Sequence, residues 1–236
     1  MNLLRPLRLC ALLATSLLAM QAQATPVITV DLDFTGFALG YRNGTVTDDG
    51  DGRRVSAGLF SFEVSNPVGH APWDWGQTLE AFCVELGTQL NQNRVTYTLV
   101  QATDYFDDAS RVDLMGRLYT GFRDAVVDEF TSAGFQLALW ELVEEDTDTL
   151  NLNRDQDPNG SFRTNWFGSG RLFGNEWLRQ LDDLENQYNL YVLQAEGTQD
   201  LLVFSPDLAQ EIAEPASLGL LGLGLAVLGV RGRRRR

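Results

Sequence analysis

The chain has 236 residues and a formal net charge of −14, from 32 acidic and 18 basic residues. Every one of the 18 basic residues is arginine. The length of the chain suffices for one large domain or for two small ones that share a core. A surface this acidic repels nucleic acid and anionic lipid, so the composition excludes nucleic-acid binding.

The N-terminus has the order of a secretory signal peptide. Two arginines precede an apolar stretch at 9–20, and Ala-Gln-Ala follows at 22–24. A positive start, a short apolar middle and small residues at the end are typical of a cleaved export signal. Residues 1–24 are therefore predicted to be removed, and the mature chain is predicted to begin at Thr25.

The body that follows, residues 25–212, begins with the pattern of an antiparallel sheet. Apolar and polar residues alternate from 27 to 34, as in a strand with one buried face. Asn-Gly at 43–44 and Asp-Gly-Asp-Gly at 49–52 indicate turns. Further strands are predicted at 55–64, 79–86 and 96–100.

The second half of the body changes to helical spacing. Apolar residues recur every three or four positions in three segments, which predicts helices at 111–119, 131–144 and 175–188. A polar loop is predicted at 144–165, and strands follow at 190–194 and 201–204. Strands, then helices, then strands predict an α+β fold, an antiparallel β-sandwich-like sheet with a helical insertion.

Within the polar loop, Asp155, Asp157 and Asn159 have the spacing that opens a calcium-binding loop. The twelfth position is Trp166, where a calcium loop of this kind places a bidentate glutamate. A weak calcium site and a solvated acidic loop are both consistent with this segment. No other cofactor is expected.

Cys83 and Gln136 are the pair of residues that favours a specific chemistry. Cys10 lies in the predicted signal peptide, so Cys83 is the only thiol expected in the exported chain. Gln136 and Trp140 share one face of the predicted helix, which places an amide among apolar side chains. A thiol held against the amide carbon of a glutamine can attack it, expel ammonia and leave a thioester.

This pair resembles, in motif and order, the thioester domains of bacterial surface adhesins. The resemblance lies in an aromatic-Cys-apolar-acidic strand at 82–85 and a Gln-x-Ala-apolar-Trp helix at 136–140. It implies a Cys83–Gln136 bond that acylates amines on a partner. The implied pocket consists of Phe82, Glu85, Phe135, Ala138 and Trp140. The alternative is structural, with Cys83 as a small buried hydrophobe and Gln136 as a satisfied core amide.

Two tryptophans and one histidine support further hypotheses. Trp73 and Trp75 are candidates for stacking on a sugar ring, although tryptophans of this kind also pin loops to a core. His70 is the only histidine, and it is the imidazole base available to a hydrolase built on Cys83 or on a serine with an aspartate. The chain has no nucleophile-elbow motif, so a turnover enzyme is not expected.

The C-terminus predicts a sorting tail at 213–236. Glu214 and Pro215 precede an apolar run at 218–230. An arginine cluster behind that run stops transfer across the inner membrane; it comprises Arg231, Arg233, Arg234, Arg235 and Arg236. The segment resembles the PEP-CTERM signal, which implies a transmembrane helix and processing by an exosortase-type membrane protease. Ala213 stands where that motif usually has its first proline.

These features predict an exported protein of the cell surface or extracellular matrix, held at the inner membrane before processing. The predicted function is covalent adhesion, in which the thioester acylates an amine-bearing surface partner. Non-covalent binding of an extracellular polysaccharide is the main alternative, and a hydrolase that depends on His70 is the third.

Overall fold

The computed structural model describes residues 27–147, 149–153 and 160–205. This part of the chain contains nine strands: β1 (Ile28–Phe37), β2 (Arg42–Asp48), β3 (Asp51–Ala57), β4 (Phe60–Val68), β5 (Thr78–Cys83), β6 (Val95–Gln101), β7 (Arg163–Asn165), β8 (Asn189–Gln194) and β9 (Leu201–Ser205). Six of them close into an antiparallel barrel in the order β1-β4-β5-β9-β8-β6. The other three form a separate sheet in the order β3-β2-β7.

The closed barrel shows that the predicted β-sandwich-like sheet is wrong. β1 pairs with β4 along one side and with β6 along the other. The ring is completed by β5 and β9, where Cys83 is opposite Leu201. In a closed barrel each strand has a neighbour on both sides, whereas a sandwich leaves unpaired backbone groups at the edges of its sheets. Alternation along a strand indicates its buried face, but it does not specify which strands pair.

The three-stranded sheet corrects two further predictions. Asn-Gly at 43–44 is predicted to form a turn, but Gly44 lies inside β2. A Cβ at Gly44 would lie 2.4 Å from the Phe167 ring, so close packing rather than a turn requires glycine at this position. The strand predicted at 55–64 is divided between β3 and β4.

Four helices of the described chain lie between β6 and β8: α1 (Ala102–Tyr105), α2 (Ala109–Phe122), α3 (Glu129–Glu144) and α4 (Ser169–Leu178). Helices α2 and α3 confirm the predictions at 111–119 and 131–144. The third prediction, at 175–188, is wrong in its bounds. Helix α4 begins earlier and ends at Leu178, and a short 3-10 helix follows at Leu181–Asp183.

Helix α3 begins with a capping box formed by Asp128 and Thr131. The Asp128 carboxylate accepts a hydrogen bond from the Thr131 N–H at 2.8 Å, and the Thr131 hydroxyl accepts one from the Asp128 N–H at 3.0 Å. Such reciprocal bonds satisfy N–H groups that the first turn of a helix leaves unpaired. The bond from the Thr131 N–H to the carboxylate also lowers the pKa of Asp128.

Helix α3 is enclosed by the rest of the molecule. All twelve residues from Thr131 to Leu142 are buried, as expected for a helix in a core. Glycines let α4 approach it closely, because a Cβ on Gly134 would lie 2.8 Å from the backbone oxygen of Gly170. Ahead of β4, the Leu59 N–H donates to the hydroxyl of Ser132, also on α3, at 2.7 Å. These contacts determine the position of Gln136.

Several predicted segments lie outside the described residues. These are the signal peptide at 1–24, the sorting tail at 213–236, and the calcium candidates Asp155, Asp157 and Asn159. Within the described ranges, no helix is long and apolar enough to cross a membrane. The same ranges contain no group of three or more His, Cys, Asp or Glu side chains placed to hold a metal ion.

Candidate functional site: the Cys83 and Gln136 pair

The Gln136 side chain and the Cys83 backbone are directly hydrogen bonded, although 53 positions separate them in sequence. The Cys83 N–H donates to Gln136 Oε1 at 2.9 Å, and Gln136 Nε2 donates to the Cys83 carbonyl oxygen at 2.8 Å. Cys83 has no accessible surface, and Gln136 is 1 % exposed. The fold therefore brings the two predicted residues together in the core.

The position of Cys83 at the end of β5 explains this pairing. β5 pairs with β4 only as far as Ala81, which is opposite Phe60, the first residue of β4. Cys83 lies two residues beyond Ala81, and the Gln136 amide takes the place of a strand there. Buried backbone N–H and C=O groups need partners. The amide thus has a structural role whether or not it reacts.

The Cys83 thiol faces the chain that follows β5. Its sulfur donates to the Glu85 carbonyl oxygen at 3.1 Å and accepts from the Glu85 N–H at 3.4 Å. Burial raises the pKa of Cys83 to about 12, against weaker lowering by the hydrogen bond from the Glu85 N–H and by the neighbouring Trp140 indole N–H. The Trp140 indole N–H is buried and forms no hydrogen bond that meets the ordinary distance and angle limits. The thiol is therefore protonated at neutral pH.

The other residues of the predicted pocket lie beside this pair. Four of them are apolar and buried: Phe82, Phe135, Ala138 and Trp140. The rings of Phe82 and Phe135 stack with their centroids 4.4 Å apart. Glu85 differs, because it is only half-buried and its carboxylate accepts hydrogen bonds from the Thr88 hydroxyl and the Asp200 N–H. The surroundings of the sulfur are thus apolar on the α3 side and polar toward Glu85.

Three titratable groups near the thiol, Tyr105, Asp200 and Glu144, are not predicted from the sequence. The Tyr105 hydroxyl donates to the Asp200 carboxylate at 3.0 Å, and burial raises the pKa of both groups. Burial also raises the pKa of Glu144 to about 7, with the neighbouring Asp48 carboxylate as the next cause. These residues come from separate segments of the chain. No local pattern links them, so only the fold identifies this cluster.

A cavity of about 590 Å³ is bordered by Trp140 and Leu86. The rest of its lining includes three aromatic and two basic side chains: Phe34, Phe37, Phe60, Arg53 and Arg54. Trp140 also lies beside the Cys83 thiol. Trp140 therefore borders the cavity on one side and neighbours the Cys83 thiol on another.

The two tryptophans proposed as glycan contacts lie at a different cavity, of about 340 Å³. Trp75 is buried, whereas Trp73 is half-buried and packs on Tyr191 with ring centroids 5.3 Å apart. Asp74 and Arg123 line the same cavity. Trp75 therefore anchors this loop to the core, and Trp73 is the more accessible of the two rings.

His70 is exposed, whereas Cys83 is fully buried. In the described part of the chain the thiol's hydrogen bonds go to Glu85 and none goes to His70. The fold therefore does not bring the only imidazole to the only buried thiol.

No protein family, curated protein or solved structure matches this chain. Its function therefore has to be inferred from the chemistry of the site.

Proposed function

We propose that Cys83 and Gln136 form an internal thioester and that the protein uses it to attach covalently to an amine on a partner surface. The observation that supports this is the pair of hydrogen bonds that holds the Gln136 amide against Cys83 inside the core. The two residues belong to β5 and α3, so their arrangement is maintained by the whole fold. The bonds hold the amide next to the Cys83 backbone, and the sulfur, which is hydrogen bonded to the Glu85 carbonyl, must leave that carbonyl to reach Cδ of Gln136.

In the proposed step, the Cys83 sulfur bonds to Cδ of Gln136 and the Cδ–Nε2 bond breaks. The nitrogen leaves as ammonia and takes the thiol proton with it, so no oxidant or cofactor is needed. Negative charge develops on Oε1 as the sulfur adds, and the Cys83 N–H already donates to that oxygen at 2.9 Å. The raised pKa of Cys83 makes the step slow, which is tolerable for an event that occurs once in the life of each molecule.

A thioester persists when water and competing amines are kept away from it. Cys83 is fully buried and has the apolar side chains of Phe82, Phe135 and Trp140 beside it. The chain contains no lysine, and arginine stays protonated, so the protein offers no nucleophilic side-chain amine of its own. The acyl group would therefore remain available for a partner.

The partner's amine would approach through the cavity beside Trp140, with a movement of the indole exposing the thioester. Export by the predicted signal peptide, and retention by the predicted sorting tail, would place the reaction outside the inner membrane. Amine-bearing surface molecules are the expected partners there. Each protein molecule would react once, which is adhesion and not turnover.

Intact mass spectrometry of the purified full-length protein tests this proposal. The wild type should be about 17 Da lighter than calculated from its observed termini, and methylamine should add about 31 Da to that form. Cys83→Ala and Gln136→Glu are matched controls, because each removes one reacting group and neither should show the deficit or the adduct. An unmodified wild-type mass, with a Cys83 thiol that titrates in denaturant, would refute the thioester.

A second candidate is non-covalent polysaccharide binding at the cavity of Trp73 and Trp75. The half-buried Trp73 ring is accessible for stacking, and Asp74 and Arg123 supply hydrogen-bonding groups at the same cavity. Trp73→Ala should then abolish retention on polysaccharide without changing the intact mass or the methylamine reaction. Unchanged retention in that variant would exclude this cavity.

A further inference from the structure

Trp166 is the most exposed large apolar side chain of the described residues, with 77 % of its surface accessible. Its backbone has a φ of +71°, a conformation that bulky residues avoid. The next residue, Phe167, is buried and packs over Gly44. The turn that buries Phe167 therefore presents the Trp166 indole to solvent in a strained backbone. Strain of this kind is concentrated at functional sites.

The Trp166 indole borders a cavity of about 460 Å³ beside the three-stranded sheet. The register of that sheet explains the rest of the lining, because Thr45 is opposite Asn165 and Thr47 is opposite Arg163. Opposed residues point to the same face of a sheet, as do alternate residues of one strand. Four polar side chains thus share the sheet face that meets Trp166.

Helix α4 contributes Arg171 to the same cavity. Arg171 is half-buried, and none of the ion pairs formed among the described residues includes it. Its guanidinium presents several N–H donors in a fixed plane. The cavity therefore combines one aromatic face with hydroxyl, amide and guanidinium groups.

This combination suits a sugar better than a protein partner. The C–H face of a hexose ring packs on an indole, while its hydroxyl groups need both donors and acceptors. Protein interfaces instead have clustered apolar and aromatic residues at their centre. Trp166 is the only large apolar side chain in the described lining of this cavity. The net charge of −14 further disfavours a polyanionic chain.

We propose that Trp166 and the adjoining sheet face bind a neutral polysaccharide built of hexose units. Trp166 would stack on one sugar ring, and Thr45, Thr47, Asn165 and Arg171 would hydrogen bond to its hydroxyl groups. The site lies apart from Cys83 and does not depend on the thioester. It is also distinct from the cavity of Trp73 and Trp75.

Affinity electrophoresis of the full-length protein tests the site, in native gels that contain dextran, galactomannan, laminarin or soluble starch. At least one of these polymers should retard the wild type, and Trp166→Asn should weaken its apparent affinity about tenfold. Asparagine tolerates a positive φ, so the Tm of this variant should equal or exceed that of the wild type. Val127→Ala is the matched control, because it removes another exposed apolar side chain that borders neither cavity, and it should migrate like the wild type.

Thr47→Val provides a second test, because it keeps the shape of the strand residue and removes only a hydroxyl group. Its retardation should also be weaker than that of the wild type, which an exposed indole without a sugar site would not explain. Two results would overturn the assignment: no retardation by any of the four polymers, or unchanged retardation of Trp166→Asn. Loss in Trp73→Ala with Trp166→Asn unaffected would assign the binding to the other cavity.

Discussion

Replacing Gly134 with alanine should destabilise this protein, although the same change in an ordinary helix interior is stabilising. Alanine is favoured over glycine there by about 0.5–1 kcal/mol. At Gly134 the added methyl group would lie 2.8 Å from the Gly170 backbone oxygen and 3.0 Å from Cβ of Phe173. A backbone oxygen cannot turn away as a side chain can, so α4 would have to shift away from α3.

The size of the effect follows from two opposing contributions. Overpacking a tightly packed core costs about 1–3 kcal/mol, and the gain in helix propensity offsets up to about 1 kcal/mol of that. The expected loss in the free energy of unfolding is about 0–2.5 kcal/mol, centred at about 1 kcal/mol, and a loss of about 1 kcal/mol lowers Tm by about 2–4 °C in a domain of this size. Gln136 lies two residues from Gly134, so the yield of the proposed thioester should also fall.

Chemical denaturation followed by tryptophan fluorescence measures this loss directly. Gly87→Ala is the matched control, because a Cβ at Gly87 would have no atom within 4 Å and the free energy of unfolding should change little. If Gly134→Ala instead raised the free energy of unfolding by about 0.5–1 kcal/mol, the value expected from propensity alone, the close packing of α3 on α4 would be refuted.

Two further predictions concern carboxylates near α3. The pKa of Glu144 is raised from 4.5 to about 7, so the folded state binds more protons than the unfolded state between these values, and stability should fall as the pH rises through that window. Glu144→Gln should reduce the fall in Tm between about pH 5 and pH 8, and an identical pH profile in the variant would contradict this assignment. Asp128→Ala removes the capping carboxylate of α3 and should lower the free energy of unfolding. The exposed Asp124 gives a control, since Asp124→Ala should have little effect; equal losses in the two variants would show that the cap is not the cause.

The parts of the structure predicted correctly from sequence depend on neighbours within a few positions. The alternation at 27–34 is confirmed by β1, and the apolar spacing at 131–144 is confirmed by α3. Cys83 and Gln136 can also be identified from the sequence. Cys83 is the only thiol outside the predicted signal peptide, and Gln136 is an amide on an apolar helix face. The structure brings these two residues together, and the bond between them remains a prediction.

The predictions that are wrong concern places where distant segments of the chain meet. Gly44 has the local pattern of a turn, yet it lies in β2. The residue there is glycine because the ring of Phe167 fills the space where a Cβ would be. The α4 region is apolar enough to extend its predicted helix to 188, but the chain leaves the helix at Leu178. At Gly44 the packing of a remote residue, and not a turn, accounts for the glycine.

The amino-acid sequence indicates which segments form strands and helices, gives the acidic net charge, and singles out Cys83 and Gln136 as the candidate pair for the proposed thioester. The closure of six strands into a barrel, the pairing of Gln136 with the end of β5, and the exposure of Trp166 beside the buried Phe167 are visible only in the folded structure. Local patterns reflect each residue's own conformational preferences and those of its near neighbours. Strand pairing, close helix packing and cavities depend on contacts between residues far apart in the chain. The sequence of one segment does not specify those contacts.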